Sequence, residues 1–149
     1  SFIMDKEGLN AAGLSDLINK QSGVMGLSNI SSDMREIEAA IEEGDKKAIL
    51  TMNVFNYRIK KYIGAYAAAL GGLDILVFTG GVGENQWSTR TEVCRDMEFM
   101  GIKLDEAKND HMRGKEMVIS TPDSKVTVIV VPTDEELTIA KDTLEILSK

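Results

Sequence analysis

An α/β fold with a partly parallel sheet flanked by helices is predicted for this chain of 149 residues. Two short apolar runs rich in branched residues, 73–79 and 125–131, have the composition of strands that are buried on both faces. Each run is followed by a helical pattern, and further helical patterns precede the first run. Helices followed by strand, helix, strand and helix are typical of helices layered against a sheet.

Composition and charge exclude several classes of function. Hydrophobic residues make up 43% of the chain and charged residues 28%, an ordinary balance for a protein with a buried core. A formal net charge of −7 disfavours non-specific binding to nucleic acid or anionic lipid. The single cysteine, Cys94, excludes an internal disulfide and is expected on a helix as a small apolar residue. No apolar run reaches the ~20 residues of a membrane helix, so we expect a cytoplasmic protein without nucleic-acid or membrane partners.

The first part of the chain is predicted to be helical. A short helix is expected at 13–22, followed by a loop with two glycines at 23–28. A second helix is expected at 33–43, because Asp33 and Glu36 have the spacing of a capping box.

The longest predicted helix covers 45–70 and would span ~35–40 Å at about 1.5 Å per residue. Its apolar residues recur at spacings of three and four, which predicts one buried stripe. The stripe comprises Ala48, Met52, Phe55, Ile59, Tyr62, Tyr66 and Leu70.

A glycine-rich segment, Thr79–Asn85 (TGGVGEN), follows the first predicted strand directly and precedes another helical pattern. Three glycines just past a buried strand allow positive φ angles and leave no side chains in the way. Consecutive N–H groups can then converge on an anion, and ligands of open α/β sheets bind beyond the carboxyl ends of the strands. The segment lacks the lysine of a Walker A motif and is not G-x-G-x-x-G. A tight strand-to-helix turn without a ligand remains the alternative.

The next helix is expected to begin at Ser88 or Thr89 and to end at Met100, since Thr89 and Glu92 have capping-box spacing. Residues 101–114 are polar and are expected to be irregular. The remaining elements are a strand, a turn, a second buried strand and a terminal helix, at 116–120, 122–124, 125–131 and 133–147.

Four segments resemble the acetate kinases, or acetokinase family. They are SSDMR at 31–35, NYRIKKYIGAY at 56–66, FTGGVGEN at 78–85 and VPTDEEL at 131–137. The segments follow the family's order and spacing over essentially the whole chain. Because this family belongs to the acetate and sugar kinase, hsp70 and actin superfamily, the resemblance implies an incomplete ribonuclease H-like (actin-like ATPase) domain. It also implies that the chain is the C-terminal, nucleotide-binding part of a longer enzyme, as a single partial domain.

The family transfers the γ-phosphoryl group of ATP to acetate, reversibly and with Mg²⁺. The resemblance therefore implies ATP or ADP, Mg²⁺ and a short-chain carboxylate as ligands, and a homodimer as the assembly. Propionate kinases are close relatives, so the acceptor is left open. A non-catalytic oligomerisation or regulatory module with a vestigial nucleotide loop is the main alternative. A Rossmann-type redox domain is disfavoured by the missing G-x-G-x-x-G.

By resemblance, Asp33, Met34 and Arg35 line an adenosine pocket. An arginine guanidinium can stack on a purine, and a carboxylate can accept from an amino or hydroxyl group. Helix capping by Asp33 and a surface charge at Arg35 are the alternatives.

The resemblance also implies a phosphate-side nucleotide loop. Its members are Gly81, Val82, Gly83, Glu84 and Asn85. The amides around Gly81 and Gly83 are the expected donors, whereas Glu84 and Asn85 are expected to brace the loop.

Glu135 matches the family's acidic residue associated with Mg²⁺. Thr133 and Glu136 have capping-box spacing, which would leave Glu135 to face the site. Mg²⁺ normally takes one or two carboxylates plus phosphate oxygens and water. An acidic first turn that complements the helix dipole explains Glu135 equally well without the resemblance.

No catalytic residue is assigned in this chain. The arginines, histidines and aspartate that the family uses for phosphoryl transfer come from its earlier part, and His111 lies in a polar stretch outside the matching segments. The chain begins at Ser1 with apolar residues that resemble the end of an element, so a cut or processed chain that is inactive alone is expected. An exposed sheet edge would favour its association.

Overall fold

The computed structural model describes residues 1–148, and contacts between Cα atoms divide the chain into two units, Ser1–Tyr62 and Ile63–Lys149. The first unit consists of helices and their connections, and the second contains the sheet. Lys149, at the end of the predicted terminal segment 133–149, lies outside the described residues. A single partial domain over the whole chain stays a prediction.

The elements follow one another in the predicted order of helices, strand, helix, strands and helix. In the first unit these are α1 (Phe2–Glu7), α2 (Ala11–Lys20), α3 (Gly23–Ser28), α4 (Met34–Glu42) and the beginning of α5 (Lys46–Leu70). The second unit contains the strands β1 (Ile75–Phe78), β2 (Met117–Val118) and β3 (Thr127–Val130) and the helices α6 (Gly80–Asn85), α7 (Trp87–Cys94), α8 (Glu106–Asn109) and α9 (Glu135–Leu147), with a short 3-10 helix at Glu98–Met100. Within residues 1–148, no helix combines the length and apolar character that crossing a membrane requires.

Two helices of the first unit differ from the prediction. The helix expected at 13–22 begins earlier, because Asn10 caps α2 and its Oδ1 accepts a hydrogen bond from the amide of Gly13 at 2.8 Å. The loop expected at 23–28 is wrong, since these residues form α3. Glycine costs only about 1 kcal/mol per helical residue relative to alanine, and tertiary context routinely overrides a preference of that size.

The amino terminus of α4 is capped by Asp33, as predicted, through a 2.9 Å hydrogen bond from the amide of Arg35 to Oδ1. The predicted capping box with Glu36 is wrong, because the Asp33 amide donates to Ser31 Oγ at 3.0 Å. Behind this cap, α4 and α5 form the core of the first unit. Its buried residues are Ile37, Ala48 and Met52, and the half-buried side chains packed against them are Val24, Met34, Ala40, Ile41 and Phe55.

The longest predicted helix is confirmed as α5, but its buried face differs from the predicted stripe. The stripe is buried at its amino-terminal end, whereas Tyr62, Tyr66 and Leu70 are exposed. Ala67 takes the buried position near the end of the helix instead. Apolar periodicity identifies a face that a helix can bury, but the neighbouring elements decide how far along the helix that face is covered.

The strand order of the sheet is β1-β3-β2, with β3 in the middle. Strand β1 pairs with β3 in parallel, from Ile75 opposite Thr127 to Phe78 opposite Val130. Strand β2 pairs with β3 antiparallel. The predicted α/β class with a partly parallel sheet flanked by helices is therefore confirmed.

The composition of β1 predicted a strand buried on both faces, and this prediction is wrong. Phe78 is buried, but Ile75 is 57% exposed and Val77 is 47% exposed. Strand β3 is better covered, with Val128 and Val130 both fully buried. The exposed side chains leave one face of β1 open to association. Because β1 is an outer strand of this sheet, its outer backbone edge is open to association as well.

Helix α7 ends at Cys94, well before the predicted end at Met100. Asp96 then takes a left-handed φ of 56°, which stops the helix. Thr89 is not the N-cap, because it is buried within α7 and its hydroxyl donates to Gln86 Oε1 at 3.2 Å. Cys94 is buried on a helix, as predicted. The stretch predicted to be irregular contains α8.

Arg90 of α7 is a charged side chain inside the second unit, with 0% of its surface exposed. Its Nε donates to Asn109 Oδ1 at 2.7 Å, Nη1 to the carbonyl of Gly83 at 2.7 Å and Nη2 to the carbonyl of Met112 at 2.6 Å. The side-chain amide of Asn109 in turn donates to the carbonyl of Trp87 at 2.9 Å. One guanidinium thus ties α6, α7, α8 and the segment after α8 together.

Replacement of this guanidinium is expected to destabilise the second unit strongly. Arg90→Met preserves much of the side-chain volume but leaves the carbonyls of Gly83 and Met112 and the oxygen of Asn109 without their donor. Since a buried unsatisfied polar group costs about 1–3 kcal/mol, we expect a loss of about 3 kcal/mol or more in the free energy of unfolding, measured by urea denaturation.

The matched control for this change is Arg95→Met. Arg95 forms an exposed ion pair with Glu92 at 2.6 Å, and such pairs contribute about 0–1 kcal/mol. Equal losses of stability in the two variants would contradict the structural role assigned to Arg90.

Candidate functional site

The glycine-rich segment at the carboxyl end of β1 is a short helix, α6, and not the open loop that its glycines predict. Thr79 is extended, with φ −148° and ψ 172°, and Gly80 then takes a left-handed φ of 70°. This pair of conformations turns the chain sharply out of the strand and into the helix. The amides of a first helical turn lack intrahelical acceptors and favour anions, so the predicted chemistry is compatible with the helical geometry.

The glycines of α6 have different structural roles. Gly80 supplies the positive φ. A Cβ added at Gly81 would meet nothing within 4 Å, so the backbone is open to a ligand there. A Cβ added at Gly83 would lie 3.1 Å from the carbonyl carbon of Phe78, so this glycine allows α6 to pack closely on β1. The packing role of Gly83 was missed from the sequence.

Carbonyl groups of α6 accept hydrogen bonds from donors outside the helix and from a side chain within it. Arg90 donates to the carbonyl of Gly83 at 2.7 Å, and the amide of Gly114 donates to the carbonyl of Glu84 at 3.2 Å. The side-chain amide of Asn85 donates to the carbonyl of Gly81 at 3.0 Å. Asn85 therefore braces the turn, as the sequence suggested, and the amino-terminal amides of α6 keep a fixed direction.

Glu84 links the start of α6 to the chain beyond β3. Its Oε1 accepts hydrogen bonds from the amide of Gly80 at 2.8 Å and from the amide and hydroxyl of Thr133, each at 2.7 Å. These donors, those of Thr133 first, lower the pKa of the Glu84 carboxyl below its ordinary value. The carboxylate is thus engaged in bracing the turn, and it also connects two segments that are distant in sequence.

The predicted capping box at the start of α9 is wrong. Asp134 is the N-cap, and its Oδ1 accepts from the amide of Leu137 at 2.8 Å. Thr133 is engaged by Glu84 instead, so capping does not distinguish Glu135 from Glu136. Both glutamates are exposed in the first turn of α9.

The chemistry of the available donors limits how Mg²⁺ can bind. Among residues 1–148 there is no group of three or more His, Cys, Asp and Glu side chains that could hold a metal ion. One carboxylate from Glu135 fits an ion whose other ligands are phosphate oxygens and water. The residues present therefore suit a metal ion that arrives with a nucleotide, and not a metal held by the protein alone.

Asp33 and Arg35 form a tight pair at the amino terminus of α4, in the first unit. Arg35 Nε lies 3.0 Å from Oδ1 and Nη2 lies 2.5 Å from Oδ2 of Asp33. The side-chain and backbone hydrogen bonds from Arg35 lower the pKa of Asp33 to about 2. The Arg35 side chain is 88% exposed, so a face of its guanidinium is open to a planar ligand. Met34 packs against the core of its unit.

The predicted site residues thus fall into two groups. Asp33, Met34 and Arg35 belong to the first unit, whereas residues 81–85 and Glu135 belong to the second. Within the second unit, the Glu84–Thr133 hydrogen bonds bring the glycine helix next to the segment that leads to Glu135.

Two contributors to the site were missed from the sequence, Arg90 and Thr133. Thr133 was detectable in principle, since residues that follow adjacent parallel strands lie at the same edge of a sheet. Arg90 is three and four residues before the buried Val93 and Cys94, a spacing that places an arginine on the inner face of its helix.

Comparisons with known proteins agree with this architecture. The model of the acetokinase family matches residues 1–141. The acetate kinase of Parabacteroides distasonis is 76% identical over 149 residues, which are 100% of this chain and 37% of that protein. The crystal structure of Porphyromonas gingivalis acetate kinase matches with a TM-score of 0.90 and 68% identity, over 98% of this chain and 37% of that one. A propionate kinase from Francisella tularensis matches with a TM-score of 0.81 and 34% identity, over 93% of this chain and 35% of that one.

These similarities confirm the predicted fold class, that of the actin-like ATPases. The chain spans about 37% of the length of the curated relatives it matches. Because the family model covers the glycine helix, the Asp33–Arg35 pair and Glu135, the residues of the candidate site lie within the matched region. The chain belongs to the acetokinase family.

Proposed function

We propose that the chain supplies the nucleotide-binding part of an acetate kinase, which transfers the γ-phosphoryl group of ATP to acetate and forms acetyl phosphate and ADP. The observation that carries this proposal is the glycine helix at the carboxyl end of β1, which is open at Gly81. Its support is the family membership together with relatives that are named acetate kinases. Since the chain spans about 37% of those relatives, the activity of the whole protein belongs to the proposal.

The phosphates of the nucleotide bind at the first turn of α6 in this proposal. The amides of Gly81 and Val82 donate to phosphate oxygens, and the aligned peptide dipoles favour the negative charge. The packing of Gly83 on Phe78 and the bond from Arg90 hold the turn in place. An acidic chain can bind an anion in this way because backbone groups, not basic side chains, supply the positive partial charges.

Glu135 is the proposed carboxylate for Mg²⁺, with nucleotide oxygens and water as the other ligands. When bound, Mg²⁺ neutralises charge on the phosphate oxygens during transfer. Glu135 orients the ion from the first turn of α9, and the neighbouring N-cap Asp134 keeps that turn helical.

Adenosine is proposed to bind at Asp33, Met34 and Arg35. The exposed Arg35 guanidinium can stack on the purine, and the two bonds from Arg35 to Asp33 fix the plane in which it lies. Met34 anchors the pair to the core. Since Arg35 engages both oxygens of Asp33, orientation of the guanidinium is the main role proposed for that carboxylate.

The acceptor is proposed to be acetate, because the acetate kinases of Parabacteroides distasonis and Porphyromonas gingivalis are 76% and 68% identical to the chain, whereas the propionate kinase is 34% identical. Propionate remains the second candidate on the strength of the structural match. We also propose a homodimer. The open face of β1 and the exposed apolar side chains of α9 support association, and the latter are Leu137, Ile139, Leu144, Ile146 and Leu147.

The first test is nucleotide binding and turnover by the unaltered chain. Isothermal calorimetry with ADP is expected to show binding that Mg²⁺ tightens, whereas a coupled assay with ATP and acetate is expected to show no phosphoryl transfer. Full turnover would contradict the assignment of a binding part without catalytic groups. Absence of any response to nucleotide would favour a non-catalytic assembly module.

A second test adds one methyl group at the proposed phosphate contact. Gly81→Ala is expected to weaken ADP binding by about tenfold or more, as the loss of a charge-assisted hydrogen bond would. The fold should tolerate the change, because the added Cβ has no neighbour within 4 Å. Calorimetry measures the affinity, and thermal unfolding checks the fold.

Gly64→Ala is the matched control, since its Cβ also meets nothing within 4 Å and it lies in α5. ADP affinity should stay within about twofold of the unaltered chain, a change below ~0.5 kcal/mol. An equal loss of affinity in both glycine variants would remove the support for phosphate binding at α6.

A third test addresses adenine stacking. Arg35→Ala is expected to weaken ADP binding by about two- to fivefold, the range of ~0.5–1 kcal/mol for a cation–π contact at an exposed site. Binding of inorganic pyrophosphate, which lacks the base, should change less. Arg95→Ala removes another arginine that pairs with a nearby carboxylate, and equal losses of ADP affinity in the two variants would refute the adenosine pocket.

A further inference from the structure

One oxygen of Glu84 connects the beginnings of two helices. Oε1 accepts from the amide of Gly80, the first residue of α6, and from the amide and hydroxyl of Thr133, two residues before α9 begins. The bonded residues Glu84 and Thr133 are 49 positions apart in the chain. Hydrogen bonds between residues so far apart in the sequence are tertiary contacts. These bonds lie where β1 and β3 both end, at the carboxyl ends of the two strands.

We propose that Glu84 is a positioning residue that fixes Glu135 relative to the phosphate-binding amides of α6. This inference rests on the proposed function, in which Glu135 faces the metal ion of a bound nucleotide. The chain order supports it, since Thr133 is followed by Asp134, the N-cap, and then by Glu135 at the first helical position. A carboxylate that holds Thr133 therefore sets where α9 begins.

Among the described residues, helix α9 buries no side chain that would fix its position. Every described residue of α9 is exposed, including its large apolar side chains. Helices that bury an apolar face are located by packing, and α9 does not bury one here. The two hydrogen bonds from Thr133 to Glu84 are thus a specific restraint on its first turn.

The same carboxylate ties the phosphate side and the metal side of the site together. The bond from the Gly80 amide is short, at 2.8 Å, and those from Thr133 are 2.7 Å. Charge-assisted bonds of this kind are stronger and more directional than neutral ones. A displacement of α9 would therefore be transmitted to the first turn of α6, and Glu135 would keep its distance from the nucleotide phosphates.

The test separates this positioning role from a general contribution to folding. ADP affinity is measured by calorimetry with and without Mg²⁺, and the ratio of the two affinities reports on the metal ion. Thr133→Val keeps the backbone bond but removes the hydroxyl donor, and Glu84→Ala removes the whole link. We expect the ratio to fall by about threefold in the first variant and about tenfold or more in the second.

Two further variants serve as controls. Thr133→Ser restores the hydroxyl and should restore the ratio, whereas Glu136→Ala removes an exposed carboxylate next to Glu135 and should leave the ratio unchanged. Circular dichroism checks the fold of each variant. If Glu84→Ala fails to fold, the comparison of valine and serine at 133 still decides the question.

Hydrogen exchange without nucleotide provides an independent readout. In the unaltered chain, the amides of Gly80 and Thr133 should be protected, and Glu84→Ala should expose both while the amide of Val128 stays protected. Continued protection of Gly80 and Thr133 in that variant would overturn the link itself.

The outcomes also distinguish the two levels of the proposal. An unaltered chain that binds no ADP would overturn the proposed function. The positioning role alone would be overturned by a different result. In that case the unaltered chain binds ADP more tightly with Mg²⁺, but the Thr133→Val and Glu84→Ala variants keep the same ratio of ADP affinities with and without Mg²⁺.

Discussion

The parallel pairing of β1 with β3 brings the candidate-site segments of the second unit to one edge of the sheet. Phe78 pairs with Val130, and the amide of Val131 donates to the carbonyl of Phe78 at 2.9 Å, so the two strands end together. The chain leaves β1 into α6 and leaves β3 toward Thr133 and α9. Both exits are at the carboxyl ends of parallel strands, where α/β sheets bind ligands. An antiparallel arrangement would have put the two exits at opposite edges, and the hydrogen bonds of Glu84 to Thr133 could not form.

The buried guanidinium of Arg90 holds the elements next to this edge of the sheet in place. Arg90 is surrounded by carbonyl and amide oxygens, and burial lowers the pKa of its guanidinium. Carbonyls at the end of α6 carry partial negative charge, so the guanidinium is favourably placed at Gly83. The arrangement satisfies polar groups that a short helix leaves open. A six-residue helix can therefore be held rigidly against β1 even though glycines make up half of it.

Each unit, taken by itself, presents a different kind of group to a ligand. The first presents a charged side-chain plane, Arg35, held by Asp33 on a core-anchored turn. The second presents backbone amides and, among its exposed carboxylates, that of Glu135. Side chains suit a planar base, whereas backbone amides suit an anion in an acidic protein of net charge −7.

Local sequence determined the elements that depend on short-range patterns. The run ILVF at 75–78, the length of α5 and the cap at Asp33 followed from apolar composition, periodicity and capping chemistry, which act over a few residues. The glycines after β1 likewise identified the position of the candidate site. Tertiary structure decided what local patterns leave open: that α6 is helical, that Gly83 packs on Phe78, that Arg90 is buried and that Thr133 bonds Glu84 instead of capping α9. The bonds of Arg90 to Asn109 and Met112 and the bond of Thr133 to Glu84 join residues 19 to 49 positions apart, and the free energy of such contacts exceeds the small local preferences from which the sequence is interpreted.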